Sequence, residues 1–274
     1  MFRSQWAVFF ALLTTLVFGS PIFAGKPETG FLNRTMKIGA ATHRYQVYVP
    51  ADWTPRKKWP VVLFLHGAGE RGDDGLLQTE VGIGTAIRRN MQRFPCVVVM
   101  PQCLKDRWWP EPDMQAIALK ALDQTMKEFH GDPQRVYLTG LSMGGYGTWA
   151  IAKNHPGRFA ALGVICGGVR RPARANIPEA AFADAQDDPY QEVAQKVGKT
   201  PTWVFHGEAD PVVPVSESRK MVEAIKAAGG NVRYSEYPGV GHNSWDKAYS
   251  DREFIEWLLS QRLEPSGKSG RMKP

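Results

Sequence analysis

The segment Gly140-Leu141-Ser142-Met143-Gly144 sets a serine midway between two glycines. Residues 135–139 before it form a short β-branched and aromatic run that reads as a buried strand, and residues 145–153 after it read as the start of a helix. A serine on so sharp a strand-to-helix turn sits in a strained backbone with its hydroxyl exposed. Side chains two positions either way would collide there, and Gly140 and Gly144 remove them. The new helix aims its free N–H groups and positive dipole end at the same place. Such a serine is suited to nucleophilic attack on a carbonyl carbon.

A serine hydroxyl is a poor nucleophile at neutral pH, so it needs a base, and the base needs an acid to orient it. With the nucleophile on such a turn, the acid and then the histidine follow in the chain on later strand exits. Asp210 lies in the exit loop of Val204-Phe205-His206-Gly207-Glu208-Ala209-Asp210-Pro211, and His242 lies in Pro238-Gly239-Val240-Gly241-His242 after the last strand. Asp210 is therefore assigned as the orienting acid and His242 as the base. Glu208 is the competing acid, but the Asp210-Pro211 turn ahead of Val212-Val213-Pro214 better suits a loop that holds a carboxylate inward. His206 beside the strand end reads as a packed, hydrogen-bonded residue, His66 belongs to an earlier loop, and His43, His130 and His155 have no suitable neighbours.

Attack on an ester carbonyl creates an oxyanion, and each preorganised donor contributes about 3 kcal/mol to its stabilisation. The Met143 amide, first after the serine, is one donor. The glycine-rich segment His66-Gly67-Ala68-Gly69-Glu70-Arg71-Gly72 follows an apolar parallel strand, and its Ala68 amide is assigned as the second. Glu70 and Arg71 are expected to pair and so brace this loop, with a plain surface ion pair as the competing view. Trp108 and Trp109 after the fourth strand, and Trp245 beside the base, are candidate substrate-binding aromatics that could stack on a sugar or aromatic group. Ordinary rim or core packing is an equal reading of all three.

The elements that position these groups alternate. Residues 36–38 and 43–49 read as two early strands, and residues 61–65 and 96–100 as strands covered on both faces. Further strands are expected at 160–166, 201–205 and 232–237. Helical patterns occupy 81–91, 113–130, 216–228 and 251–263, with a small helix near 190–196 and a break at Gly131-Asp132-Pro133. This alternation predicts an α/β fold, a mostly parallel sheet with helices on both faces and no large cap domain.

Four blocks then occur in order: Leu65-His66-Gly67-Ala68-Gly69-Glu70-Arg71-Gly72, Gly140-Leu141-Ser142-Met143-Gly144-Gly145, Phe205-His206-Gly207-Glu208-Ala209-Asp210 and Gly241-His242-Asn243-Ser244-Trp245. Together, over residues 36–259, they resemble the secreted carboxylesterase and "predicted peptidase" branch of the α/β-hydrolases, related to phospholipase/carboxylesterase and feruloyl esterase-like proteins. The resemblance implies an α/β-hydrolase fold, a Ser-His-Asp triad and hydrolysis of carboxylic esters without a cofactor. The substrates expected are small-molecule or carbohydrate-linked esters with short acyl or aromatic groups. A serine exopeptidase or oligopeptidase, and a catalytically silent carbohydrate- or surface-binding protein, are the rival readings.

Bulk properties fit one large α/β domain: 274 residues, 43% hydrophobic and 22% charged. Of the formal +7, the tail from Arg262 onward carries four cations against Glu264 and Arg3 lies in the leader, so the body between keeps about +3. A body so weakly basic argues against a nucleic-acid partner. Residues 1–24 read as a signal peptide, with an apolar stretch over 6–18 and Ile22-Phe23-Ala24 before Gly25, so export to the periplasm or outside the cell is expected, without a stable membrane anchor. Residues 25–263 form the catalytic domain, and 264–274 are expected to be a disordered basic tail. Three cysteines make no disulfide framework, and no metal-ligand motif such as H-E-x-x-H is present.

Overall fold

The computed structural model describes residues 28–170 and 188–264. Its strands are β1 (Gly30–Ile38), β2 (Ala41–Val49), β3 (Trp59–Leu65), β4 (Val97–Pro101), β5 (Gly131–Leu141), β6 (Ala161–Ile165), β7 (Thr202–Gly207) and β8 (Val232–Tyr237). They form one sheet in the order β1-β2-β4-β3-β5-β6-β7-β8. The first two strands pair antiparallel, β2 joins β4 antiparallel, and all pairings from β4 through β8 are parallel.

Seven α-helices connect or flank the strands among the described residues: α1 (Ile83–Arg89), α2 (Pro112–Glu128), α3 (Met143–Asn154), α4 (Pro189–Val197), α5 (Val215–Ala227), α6 (Trp245–Ser250) and α7 (Arg252–Ser260). The unbroken apolar runs follow from this layering, because neither face of the central strands meets water. Val61, Leu63 and Leu65 point into one core with residues of α2, α3, α4 and α5. Val62 and Phe64, one position out of phase, enter a second core with α1, α6 and α7. The sheet is thus covered on both sides, as the alternation predicts.

Two local departures have physical causes. The expected break at 131–133 is part of β5: Gly131 pairs with Trp59, and the register then shifts so that Val136 meets Val61. Pro133 has no N–H to give, and it lies where the pairing is interrupted. Helix α6 is six residues long, too short for a 3.6-residue period to appear. In the connection between β6 and β7, the described part carries only α4, whose Asp188 side chain accepts the Tyr190 and Gln191 amides. Residues 1–24, expected to be a signal peptide, and residues 265–274 of the expected tail lie outside the described residues. No helix among the described residues is long and apolar enough to cross a membrane.

Candidate active site

Strand β5 delivers Ser142 to its C-terminal edge, and α3 begins at the next residue. The serine has φ 52° and ψ −120°, a region that costs a non-glycine residue about 1–3 kcal/mol. The surrounding structure holds it there. A Cβ on Gly140 would collide with the Gly144 carbonyl, and one on Gly144 with the Leu65 carbonyl. Glycine at these two positions lets β5, α3 and the exit of β3 meet at one point.

His242, in the loop after β8, faces Ser142 with its Nε2 at 2.9 Å from Oγ. Its Nδ1 is 2.7 Å from Asp210 Oδ2, in the loop after β7. The other carboxylate oxygen, Oδ1, accepts the Val212 and Val213 amides at 2.8 and 3.0 Å. Burial alone would raise the Asp210 carboxyl, but hydrogen bonds from His206, His242 and these two amides hold it well below the usual carboxylate range. The acid is therefore ionised, and its charge lies against the Nδ1–H of the imidazole. Nε2 is left free to accept the serine proton. Glu208, the rival acid, instead accepts the Gly239 amide at the surface.

The loop after β3 folds into a short 3-10 turn, Ala68–Glu70, with Gly67 at its start. A Cβ on Gly67 would lie 3.8 Å from the Ser142 Cβ, so this turn abuts the serine. Ala68 and Met143 each occupy the first position of a helical turn, where an N–H has no partner inside its own helix. The loop is braced from beneath. Fully buried His66 contacts the Gly67 carbonyl through Nδ1 at 2.6 Å and accepts the Cys103 amide on Nε2 at 2.9 Å, which fixes a neutral Nδ1–H tautomer. Burial pulls this imidazole down to about 4, so it is uncharged at neutral pH. Arg71 braces the loop, while Glu70 does not pair with it and its Oε2 has no hydrogen-bond partner among the described residues. The Arg71 Nε donates to the Ala68 carbonyl at 2.9 Å, while the Glu70 carboxylate lies 3.8 Å from His66 Nδ1.

The three tryptophans separate. Trp109 is fully buried and does not reach the site, which corrects its assignment as a substrate-binding residue. Its Nε1 donates to the His66 carbonyl at 3.0 Å, and its Cβ fills the space that Gly147 of α3 leaves open. Trp109 thus braces the loop after β3. Trp108 stays half-buried, edge-on to Tyr146 at 6.5 Å, with the Arg71 guanidinium 5.8 Å from its ring. Trp245 is half-buried and edge-on to the His242 ring at 5.3 Å.

Two neighbours of the site were not legible as such. His206 is buried as expected, yet its Nε2 also lies 3.2 Å from Asp210 Oδ2. The only sequence signal was the four-residue spacing between them at a strand exit. The Cys166 sulfur, the Asp210 carboxylate and a His242 ring nitrogen all lie within 4.8 Å of one another. As a metal-ligand set this fits poorly: burial pushes the thiol up and keeps it protonated, and the other two groups are already hydrogen-bonded together. All three cysteines are buried and free.

A mostly parallel sheet carrying a serine after β5, an acid after β7 and a histidine after β8 defines the α/β-hydrolase class. The chain matches the Esterase family model, "Putative esterase", over residues 39–257, and it belongs to that family. Among relatives, Carboxylesterase SOBER1 of Arabidopsis thaliana is 23% identical over 76% of this chain and 92% of its own. An uncharacterized secreted protein of Arthroderma benhamiae is 24% identical over 85% of this chain, which spans only 28% of that protein's length. The crystal structure of a thermostable esterase superposes with a TM-score of 0.70 at 35% identity, covering 85% of this chain and 63% of the other. A feruloyl esterase module of Clostridium thermocellum, complexed with sinapinate, shares the fold at 17% identity and a TM-score of 0.62, over 84% of this chain and 88% of its own.

Proposed function

We propose that the protein is a serine carboxylic-ester hydrolase that works through Ser142, His242 and Asp210. The observation that carries this reading is one imidazole spanning 2.9 Å to a serine oxygen and 2.7 Å to a buried carboxylate. Ser142 Oγ attacks the ester carbonyl carbon as its proton passes to His242 Nε2. The Ala68 and Met143 amides hold the oxyanion so formed. Collapse of the intermediate expels the alcohol, whose oxygen takes the proton from His242, and water repeats the sequence to release the acid. None of these steps calls on a cofactor.

The proposed substrates are short-acyl esters or esters linked to carbohydrate or aromatic groups, small enough for an open site flanked by Trp108 and Trp245. The half-buried indoles beside Tyr146 and His242 support this reading, as does membership of the Esterase family. Export, with cleavage before Gly25, belongs to the same proposal, and N-terminal sequencing of secreted protein tests it. For catalysis, the test is labelling with a fluorophosphonate alongside turnover of p-nitrophenyl acetate, butyrate and palmitate. Labelling abolished by Ser142→Ala, with the short esters turned over fastest, is the expected result. A wild-type protein that neither labels nor hydrolyses any of them overturns the proposal.

A further inference from the structure

Asp210 has two histidine partners, and the mechanism above uses only one. His206, the fifth residue of β7, is wholly buried. Its Nε2 lies 3.0 Å from the Val213 carbonyl and 3.2 Å from Asp210 Oδ2. Both neighbours are acceptors, so this nitrogen carries a hydrogen shared between them. Its Nδ1 lies 2.7 Å from the hydroxyl of Ser218 on α5, itself buried. A continuous chain of contacts therefore runs from Ser218 through His206, Asp210 and His242 to Ser142.

We infer that His206 is a positioning residue for the proposed triad: it holds the Asp210 carboxylate in the rotamer that meets His242 and draws part of its charge away from that ring. The inference rests on the triad reading and extends it by one residue. The acid loop is wound around this imidazole. Oδ1 accepts the Val212 and Val213 amides, the Asp210 amide donates to the Gly207 carbonyl at 3.2 Å, and the Val213 carbonyl accepts from His206. With the His206 donor gone, Oδ2 has only the His242 Nδ1–H. The carboxylate is then a stronger acceptor toward that ring and freer to rotate.

The groups facing this pair set the sign of any pH effect. Asp210 is faced by His206, His242, the Cys166 thiol and, from α3, Tyr146. His206 is faced by Asp210, by Ser218 and, from β8, by Glu236, whose charge is paired with Arg219. Removing a donor from Asp210 concentrates negative charge on the His242 ring, which then holds a second proton more tightly. Activity needs that ring neutral, so the acid limb of kcat/KM moves to higher pH.

The test compares His206→Phe, His206→Gln, Ser218→Ala and Asp210→Asn with wild type. Each is measured for p-nitrophenyl acetate hydrolysis across pH and for thermal unfolding. His206→Phe keeps a flat ring without the donor and is expected to lower kcat by about ten- to a hundredfold with KM held within about twofold, the size of effect that follows loss of alignment. Its acid limb moves up. His206→Gln, which returns an N–H near the Nε2 position, recovers most of the rate and the wild-type limb. Ser218→Ala gives a smaller loss in the same direction, and it carries the test if His206→Phe does not fold. The inference is overturned if the folded His206 and Ser218 variants match wild type in rate and limb. It is equally overturned if the rate falls without rescue by glutamine and without movement of the limb, since that is lost packing alone. Full activity in Asp210→Asn sinks the triad reading beneath it, which separates the two failures.

Discussion

His242 Nε2 lies 2.9 Å from Ser142 Oγ although 100 residues of chain separate them. Neither residue is in a regular element that could bring them together locally: one precedes α3 and the other lies in the loop after β8. Their meeting depends on three strand exits, after β5, β7 and β8, opening at the same edge of the sheet. The parallel pairings of β5 through β8 put those exits side by side.

Asp210→Asn keeps the shape of the acid but replaces its charge, so the His242 tautomer is no longer enforced. kcat for p-nitrophenyl acetate is expected to fall by about 10⁴-fold with little change in KM. Steady-state kinetics on variant and wild type check it. A loss below tenfold would mean that another group, Glu208 being nearest in sequence, orients the imidazole.

His66 makes stability depend on pH in a definite direction. Its folded value of about 4 lies below the usual 6.5, so between these values the unfolded chain binds more protons than the native one. Its contribution is complete above pH 6.5 and declines as pH falls through that window, with about 3 kcal/mol involved. Urea unfolding of wild type and His66→Gln between pH 7 and 4 should show a slope in the variant reduced by about one proton.

Gly144→Ala drives a methyl group into the Leu65 carbonyl, where neither backbone can yield without moving β3 or α3. Such overpacking costs about 1–3 kcal/mol, and the loop after β3 shifts with it. Calorimetry and ester turnover should fall together. A variant with wild-type Tm would show that the two backbones are not so close.

Trp109→Ala and Trp108→Ala should fail in different ways. Trp109 is core, so its truncation is expected to destabilise by about 3–5 kcal/mol and to leave the His66 carbonyl unpaired. Trp108 is half-buried, and its truncation should spare Tm while raising KM for aryl esters more than for ethyl acetate. Thermal melts beside paired KM values separate the two roles.

Local chemistry was legible in the order of residues. The strand, the glycine-flanked Ser142 and the start of α3 appear together because short-range sterics allow few residue types on so tight a turn. The apolar runs of β3 and β4 announced burial on both faces because no position in them is polar. Asp210 and His242 could be proposed as acid and base because, in this fold class, those roles fall on strand exits downstream of the serine.

Packing decided the rest. Trp108 and Trp109 are adjacent in sequence and alike in composition, yet Trp109 packs against Gly147 of α3 and is core, while Trp108 stays half-buried beside Tyr146. His206 and His242 both reach the same carboxylate oxygen, but only the loop after β8 carries its ring to Ser142, while β7 keeps the other ring inside. Residue type and spacing set what each segment can form on its own. Which side chains share a volume depends on how distant segments fill space around one sheet.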